Sequence, residues 1–133
     1  MLSTMPIRIV IVDDNQHTYD GLVFAFKAFE GFELIGHAAN GTEAILLCVA
    51  AHPDVILMDL LMPGLDGITA TRIIHKQHPE IQIIGLTNST EPKVCRDLVE
   101  AGATTCLFKD TSMEKLIETI RWAYAAGEHT LTN

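Results

Sequence analysis

The stretch VILMDLLMPG, residues 55–64, decides the fold, because a short apolar run leads to a single carboxylate and then to a turn. The run Val55 to Met58 is continuously apolar, which is typical of a parallel strand that is covered on both faces. Proline and glycine after the run favour a loop. The stretch therefore predicts a buried central strand with Asp59 just past its carboxyl end.

Four further apolar runs surround this strand along the chain. They are Ile7 to Val12, Phe32 to His37, Ile81 to Leu86 and Thr104 to Phe108. Segments with apolar residues at helical spacing lie between the runs. The alternation predicts a (βα)5 chain, whose right-handed crossovers give a parallel sheet with helices on both faces.

Capping residues indicate where the helices begin and end. Asn40 and Thr111 each precede a glutamate by three residues, which is the spacing of an N-terminal capping box, and Pro92 suits a first helical turn. Gly127 stands where the last helix should stop. We expect one folded core over about residues 6–127 and a polar tail over residues 128–133, which could begin a linker.

The composition fits a single domain over residues 1–133. With 133 residues, of which 48% are hydrophobic, the chain can bury one core. Seventeen acidic and nine basic side chains give a net charge of -8, which opposes binding to a polyanion. We therefore expect that this chain by itself does not bind DNA.

The three cysteines, Cys48, Cys95 and Cys106, form no C-x-x-C pair and are odd in number. The pattern favours reduced thiols inside a cell and speaks against structural zinc. The first residues lack the basic start and apolar segment of a signal peptide, and no apolar run is long enough to span a membrane. The predicted location is the cytoplasm, without contact to a membrane.

Three carboxylates are expected to meet at one edge of the sheet. Asp13 and Asp14 follow the first strand and Asp59 follows the third, and ligands of open α/β sheets bind at the carboxyl ends of the strands. Such close like charges resist ionisation unless a cation neutralises them. Oxygen ligands favour a hard ion, and Mg²⁺ fits better than zinc or copper.

Two further strand ends carry complementary groups. Thr87 closes the fourth strand with a hydroxyl and Lys109 follows the fifth with an ammonium group. A carboxylate can form an aspartyl phosphate, and a metal ion with a nearby cation neutralises charge on a transferring phosphoryl group. Together with the carboxylates, these residues predict phosphoryl transfer to Asp59.

The motifs VDD, MDLLMPGLDG, LT and GATTCLFKD resemble, in order and spacing, those of the receiver domains of bacterial two-component response regulators. The resemblance covers about residues 6–127. Asp110 after the lysine, where many receivers have proline, is similar to the NarL/LuxR class of transcription regulators. The resemblance implies a flavodoxin-like (βα)5 fold, a doubly wound five-stranded sheet with strand order 2-1-3-4-5.

The same resemblance implies the roles of the site residues. A sensor histidine kinase would supply the phosphoryl group to Asp59, and Pro63 and Gly67 would shape the loop and helix start after it. Phosphorylation would promote a homodimer. The ligands of Mg²⁺ would be Asp14, Asp59 and the backbone carbonyl of Leu61, with Asp13 acting mainly through water, and the phosphoryl group would contact Thr87 and Lys109.

The sequence departs from the family at the switch position. Receivers usually carry tyrosine or phenylalanine three residues before the lysine, where this chain has Cys106. Since a thiol cannot replace the volume of an aromatic ring, our hypothesis is that signalling relies more on Thr87, the following loop and the fourth helix. Cys106 itself is interpreted as an inert apolar side chain without a redox role.

Other functions remain open at this point. A stand-alone receiver, or a pseudo-receiver that binds partners without being phosphorylated, would have the same fold. A nucleotide-binding domain is disfavoured because DDNQHT, residues 13–18, would repel a phosphate, and a phosphatase with an aspartyl nucleophile because the D-x-D arrangement is absent. The preferred interpretation is a phosphoacceptor that assists its own phosphorylation and dephosphorylation, and is not otherwise an enzyme.

Overall fold

The computed structural model describes residues 5–62 and 64–132, and of residues 128–132 it describes the backbone alone. Pro63, predicted to shape the loop after Asp59, lies outside the described residues. Strands and helices alternate as predicted. The elements are β1 (Ile7–Val12), α1 (Gln16–Phe26), β2 (Phe32–Ala38), α2 (Gly41–Ala51), β3 (Val55–Asp59), α3 (Gly67–Gln77), β4 (Gln82–Thr87), α4 (Pro92–Glu100), β5 (Thr105–Phe108) and α5 (Met113–Thr132).

The five strands form one parallel sheet in the order β2-β1-β3-β4-β5, which confirms the predicted fold. Asp59 and Thr87 are the last residues of β3 and β4, so each strand extends one residue beyond its predicted apolar run. The strand order reverses between β1 and β3. Their carboxyl ends therefore border the crevice where open α/β sheets bind ligands.

Helices cover both faces of the sheet. Ile9 and Ile11 of β1 pack toward α1 and α5, whereas Val10 and Val12 pack toward α2, α3 and α4, and none of the four is more than 1% exposed. Burial of each such side chain contributes about 1.5–3 kcal/mol. Because β1 is held from both sides, the position of Asp13 directly after it is fixed by the core.

Two helix starts follow the predicted capping. The side chain of Asn40 accepts a hydrogen bond from the backbone N–H of Glu43 at 2.9 Å, and Glu43 accepts one in return from the backbone N–H of Ala39. Pro92 is the first residue of α4. These reciprocal bonds satisfy N–H groups that a helix start leaves without partners.

Two predicted boundaries of α5 are wrong. The cap is Ser112, not Thr111, because the Ser112 hydroxyl accepts from the backbone N–H of Lys115 at 3.1 Å. The helix also continues for five residues beyond Gly127. Gly127 packs against Gln82, whose amide nitrogen would lie only 2.7 Å from an added Cβ. The glycine thus permits close packing of α5 on β4, and does not end the helix.

Gly67 sets the distance between α3 and the end of β3. A Cβ on Gly67 would collide with the backbone oxygen of Asp59, which cannot move without moving the strand. We expect Gly67→Ala to lower the free energy of unfolding by about 1–3 kcal/mol, as overpacking does. Urea denaturation measures this change.

Gly21 in α1 provides the matched control, since no atom lies within 4 Å of the Cβ that an alanine would add. Gly21→Ala should raise the free energy of unfolding by up to about 1 kcal/mol, because glycine is a poor helix former. Equal effects of the two substitutions would contradict the close approach of Gly67 to Asp59.

Candidate functional site

An open cleft of about 450 Å³ lies where β1, β3, β4 and β5 end. All of the predicted metal-binding and phosphoryl-binding residues line it, whereas Cys106 does not. The lining residues are Asp13, Asp14, Asn15, Thr18, Asp59, Leu61, Thr87, Asn88, Lys109 and Asp110.

The three predicted carboxylates converge in this cleft. One oxygen from each of Asp13, Asp14 and Asp59 lies within 4.8 Å of the others. Asp13 and Asp59 are only 2% and 4% exposed, whereas Asp14 is exposed. An all-oxygen cluster of this size can hold a hard divalent cation.

Lys109 is shared by two of the carboxylates. Its Nζ lies 3.1 Å from Asp59 Oδ1 and 3.3 Å from Asp13 Oδ2. Burial raises the pKa of Asp59 above its ordinary value, against the opposing effects of the Leu61 N–H and of Lys109. Burial alone would lower the pKa of Lys109, but the carboxylates of Asp59 and Asp13 raise it. Lys109 therefore stays positively charged beside the carboxylate of Asp59, whose negative charge is disfavoured by burial.

Thr87 and Lys109 are held side by side by the pairing of β4 with β5. The backbone N–H of Lys109 donates to the backbone oxygen of Thr87 at 2.9 Å. The Thr87 side chain is buried, and its oxygen accepts a hydrogen bond from the N–H of Ser89 at 2.9 Å. Since a hydroxyl can accept and donate at once, its hydrogen can still be donated toward the cleft.

Leu61 contributes its backbone to the site. Its N–H donates to Asp59 Oδ1 at 3.2 Å and thereby helps to orient the carboxylate. The Leu61 side chain is 75% exposed at the mouth of the cleft. The role of its carbonyl as a metal ligand stays a prediction.

The prediction of three reduced thiols is wrong, because Cys95 and Cys106 are joined in a disulfide. The interpretation of Cys106 as an inert apolar side chain is therefore wrong as well. The two residues are 11 positions apart in sequence, but α4 packs against β5 and brings their Cα atoms to 5.6 Å. No local cysteine motif marks this pair, because the pair forms only through the packing of α4 on β5. Cys48 is free and buried in α2.

His37 is a residue of the site that the sequence did not reveal. Its Nε2 donates to the backbone oxygen of Asp13 at 2.8 Å, and the ring of Tyr19 stacks on it with centroids 3.9 Å apart. The bond places a side chain of β2 behind the loop that carries the acidic pair. The only sequence signal was a histidine near the end of a predicted strand.

We expect His37→Ala to weaken binding of a divalent cation to the acidic cluster, tested with Mg²⁺, about 10-fold, because partners that orient metal ligands typically contribute about 10–100-fold to affinity. Isothermal titration calorimetry measures the change. Glu33→Ala, at the exposed start of the same strand, is the control and should bind Mg²⁺ like the parent. Equal affinity of both variants would show that the bond to Asp13 does not position the cluster.

The fold and the site together define an α/β domain with an acidic cleft where the strand order of its parallel sheet reverses. A lysine pairs with the carboxylates of this cleft. Residues 9–121 match the response regulator receiver domain, and the chain belongs to this family. Among the residues that the structure describes, we find no helix with both the length and the apolar character needed to cross a membrane.

Comparison with individual proteins supports a receiver of the NarL/LuxR type. The chain is 38% identical over 125 residues to the transcriptional regulatory protein LiaR of Bacillus subtilis, a match of 94% of this chain and 59% of LiaR. The chain thus spans about three fifths of that relative.

Solved structures share the fold, and two of them serve as examples. The receiver domain of the NarL regulator of Mycobacterium tuberculosis superposes with a TM-score of 0.84 at 25% identity, covering 91% of this chain and 98% of NarL's. CheY of Borrelia burgdorferi, in complex with CheX, BeF3 and Mg²⁺, gives 0.80 at 28% identity and 86% coverage of both chains.

Proposed function

We propose that this receiver domain accepts a phosphoryl group on Asp59 from the phosphohistidine of a sensor histidine kinase. The observation that carries the proposal is the buried carboxylate of Asp59, 3.1 Å from Lys109 and within 4.8 Å of the acidic pair. A nucleophile, a cation and a metal-binding set thus meet at one point. Their convergence favours phosphoryl transfer over a purely structural role.

The reaction is a displacement at phosphorus. An oxygen of Asp59 attacks, a P–O bond forms as the P–N bond of phosphohistidine breaks, and the imidazole, protonated on its other nitrogen, leaves as a neutral base. Lys109, already beside Asp59, pairs with the transferred phosphoryl oxygens. The Thr87 hydroxyl donates to another of these oxygens.

Mg²⁺ is the proposed cofactor, because the cluster offers only oxygen ligands and Mg²⁺ binds through a few carboxylates while it retains water. Asp13, Asp14 and Asp59 would hold it, and the carbonyl of Leu61 is a further proposed ligand. The bound ion would neutralise charge on the carboxylates and on the incoming phosphoryl group. CheY, which has the same fold, carries Mg²⁺ together with BeF3.

The proposed output is control of transcription through a DNA-binding domain outside this chain, as suggested by LiaR, of which the chain spans 59%. The domain would act in the cytoplasm, as a homodimer when phosphorylated. It would be a phosphoacceptor that assists its own phosphorylation and dephosphorylation, and not an enzyme that turns over a separate substrate.

Incubation with acetyl phosphate and Mg²⁺ tests the phosphoacceptor. Intact mass spectrometry should show the mass increase of one phosphoryl group, and peptide mapping after reductive trapping should locate it at Asp59. Chelation of the ion should prevent the increase. A chain that gains no phosphoryl group under these conditions would be a pseudo-receiver.

A further inference from the structure

Cys95 and Cys106 link α4 to β5. Both elements adjoin residues of the cleft, because α4 follows the loop after Thr87 and β5 is followed by Lys109. Cys95 lies in the first half of α4, and Cys106 lies in β5, three residues before Lys109. Their Cα separation of 5.6 Å is typical of disulfides, which need about 4.4–6.8 Å. The backbone therefore brings the two sulfur atoms together without a rearrangement of the fold.

The disulfide lies beside a close contact between α4 and the sheet. Cys106 pairs with Gly85 of β4, and an added Cβ on Gly85 would collide with Leu98 of α4. The contact between Gly85 and Leu98 holds α4 close to β4. The bond between Cys95 and Cys106 holds the same helix close to β5. The bond therefore restrains movement of α4 away from β5.

We propose that Cys95 and Cys106 form a reversible dithiol–disulfide site, whose oxidation by a peroxide fixes α4 to β5 and restrains the response of this region to phosphorylation. The restraint rests on the proposed function, because it requires a phosphoryl group on Asp59. The dithiol site itself does not.

The location of the pair favours reversible chemistry. Both residues are partly exposed, so a small oxidant can reach them. Disulfides of cytosolic proteins are usually transient and are often redox-sensing. Cys48, in contrast, is fully buried, and burial raises the pKa of its thiol to about 11, which keeps it unreactive.

The redox step balances with hydrogen peroxide as oxidant. One thiolate attacks a peroxide oxygen, the O–O bond breaks, and a sulfenic acid forms with release of hydroxide. The second thiolate then attacks that sulfur and displaces a second hydroxide. In total the two thiols lose two electrons and two protons, and the peroxide becomes two molecules of water. A cellular dithiol reverses the bond by thiol–disulfide exchange.

The first measurement tests the dithiol site in the Asp59→Asn protein, in which phosphorylation plays no part. After full reduction and treatment with hydrogen peroxide, thiols are alkylated and mapped by mass spectrometry. We expect Cys95 and Cys106 to be lost together as one linked peptide pair, whereas Cys48 becomes alkylated only after denaturation. Cys95→Ser should prevent the link. Persistence of both thiols, or links only between molecules, would overturn the proposal.

The second measurement tests the restraint in the parent chain. Amide hydrogen exchange of residues 88–100 is compared before and after acetyl phosphate with Mg²⁺, in the reduced and the oxidised protein. Phosphorylation should change exchange several-fold less in the oxidised protein, and Cys95→Ser should remove this redox dependence. Equal changes in both redox states would overturn the restraint. If the reduced protein gains no phosphoryl group, both the proposed function and the restraint are wrong. The dithiol site is tested independently by the mapping of alkylated thiols.

Discussion

Asp59→Asn should reduce phosphorylation by acetyl phosphate about 100-fold or more, to the background level, because an amide cannot act as the nucleophile. The fold should persist. Burial raises the pKa of Asp59, so its charge is costly in the native state, and a neutral amide of the same shape removes this cost. We expect the free energy of unfolding without metal to change by no more than about 1 kcal/mol.

Asp54→Asn is the matched control, because it makes the same substitution at the other end of β3. The Asp54 side chain accepts a hydrogen bond from the backbone N–H of Arg8 at 2.9 Å, and an amide oxygen can accept the same bond. This variant should be phosphorylated like the parent. Intact mass spectrometry gives the extent of labelling, and thermal unfolding gives the stability. Full labelling of Asp59→Asn would place the phosphoacceptor elsewhere.

The double substitution Asp13→Asn with Asp14→Asn should abolish binding of Mg²⁺ and, with it, phosphorylation. Loss of a residue that only orients a ligand typically costs about 10–100-fold in metal affinity, so loss of two carboxylate charges should cost at least about 100-fold. Lys109 should remain in place through its bond of 3.1 Å to Asp59. Calorimetric titration with Mg²⁺ measures the affinity.

A control with the same change in net charge separates local ligation from general electrostatics. Asp20→Asn with Glu30→Gln neutralises two exposed carboxylates that do not line the cleft. Because salt screens exposed charges, this variant should retain the affinity of the parent within about 2-fold at physiological ionic strength. Equal losses in the two double variants would argue against ligation by the acidic pair.

The strands and most of the site could be predicted because they depend on local sequence. Continuous apolar runs identified the buried strands, and Asp59, Thr87 and Lys109 were found because each stands at the end of such a run. Parallel strands present their carboxyl ends at one edge, so residues far apart in sequence could be placed together without coordinates.

The remaining features depend on packing between elements. The bond from His37 to Asp13 requires the register of β1 with β2, which shifts by one residue between Ile9 and Val10. Neither the apolar pattern nor a motif specifies such a shift. The link between Cys95 and Cys106 likewise depends on how α4 lies against β5. The odd number of cysteines and their wide spacing suggested free thiols, because the sequence does not show which elements pack together.

The unequal exposure of the three carboxylates gives the acidic cluster one solvent-exposed side and one buried side. Asp14 faces solvent, whereas Asp13 and Asp59 are almost fully covered. A hydrated cation would meet Asp14 first and could exchange its water molecules for protein oxygens one at a time. Because Mg²⁺ gives up water slowly, such a stepwise exchange would make its binding faster. The proposed ion would thus enter and leave on the side of Asp14, without movement of the sheet.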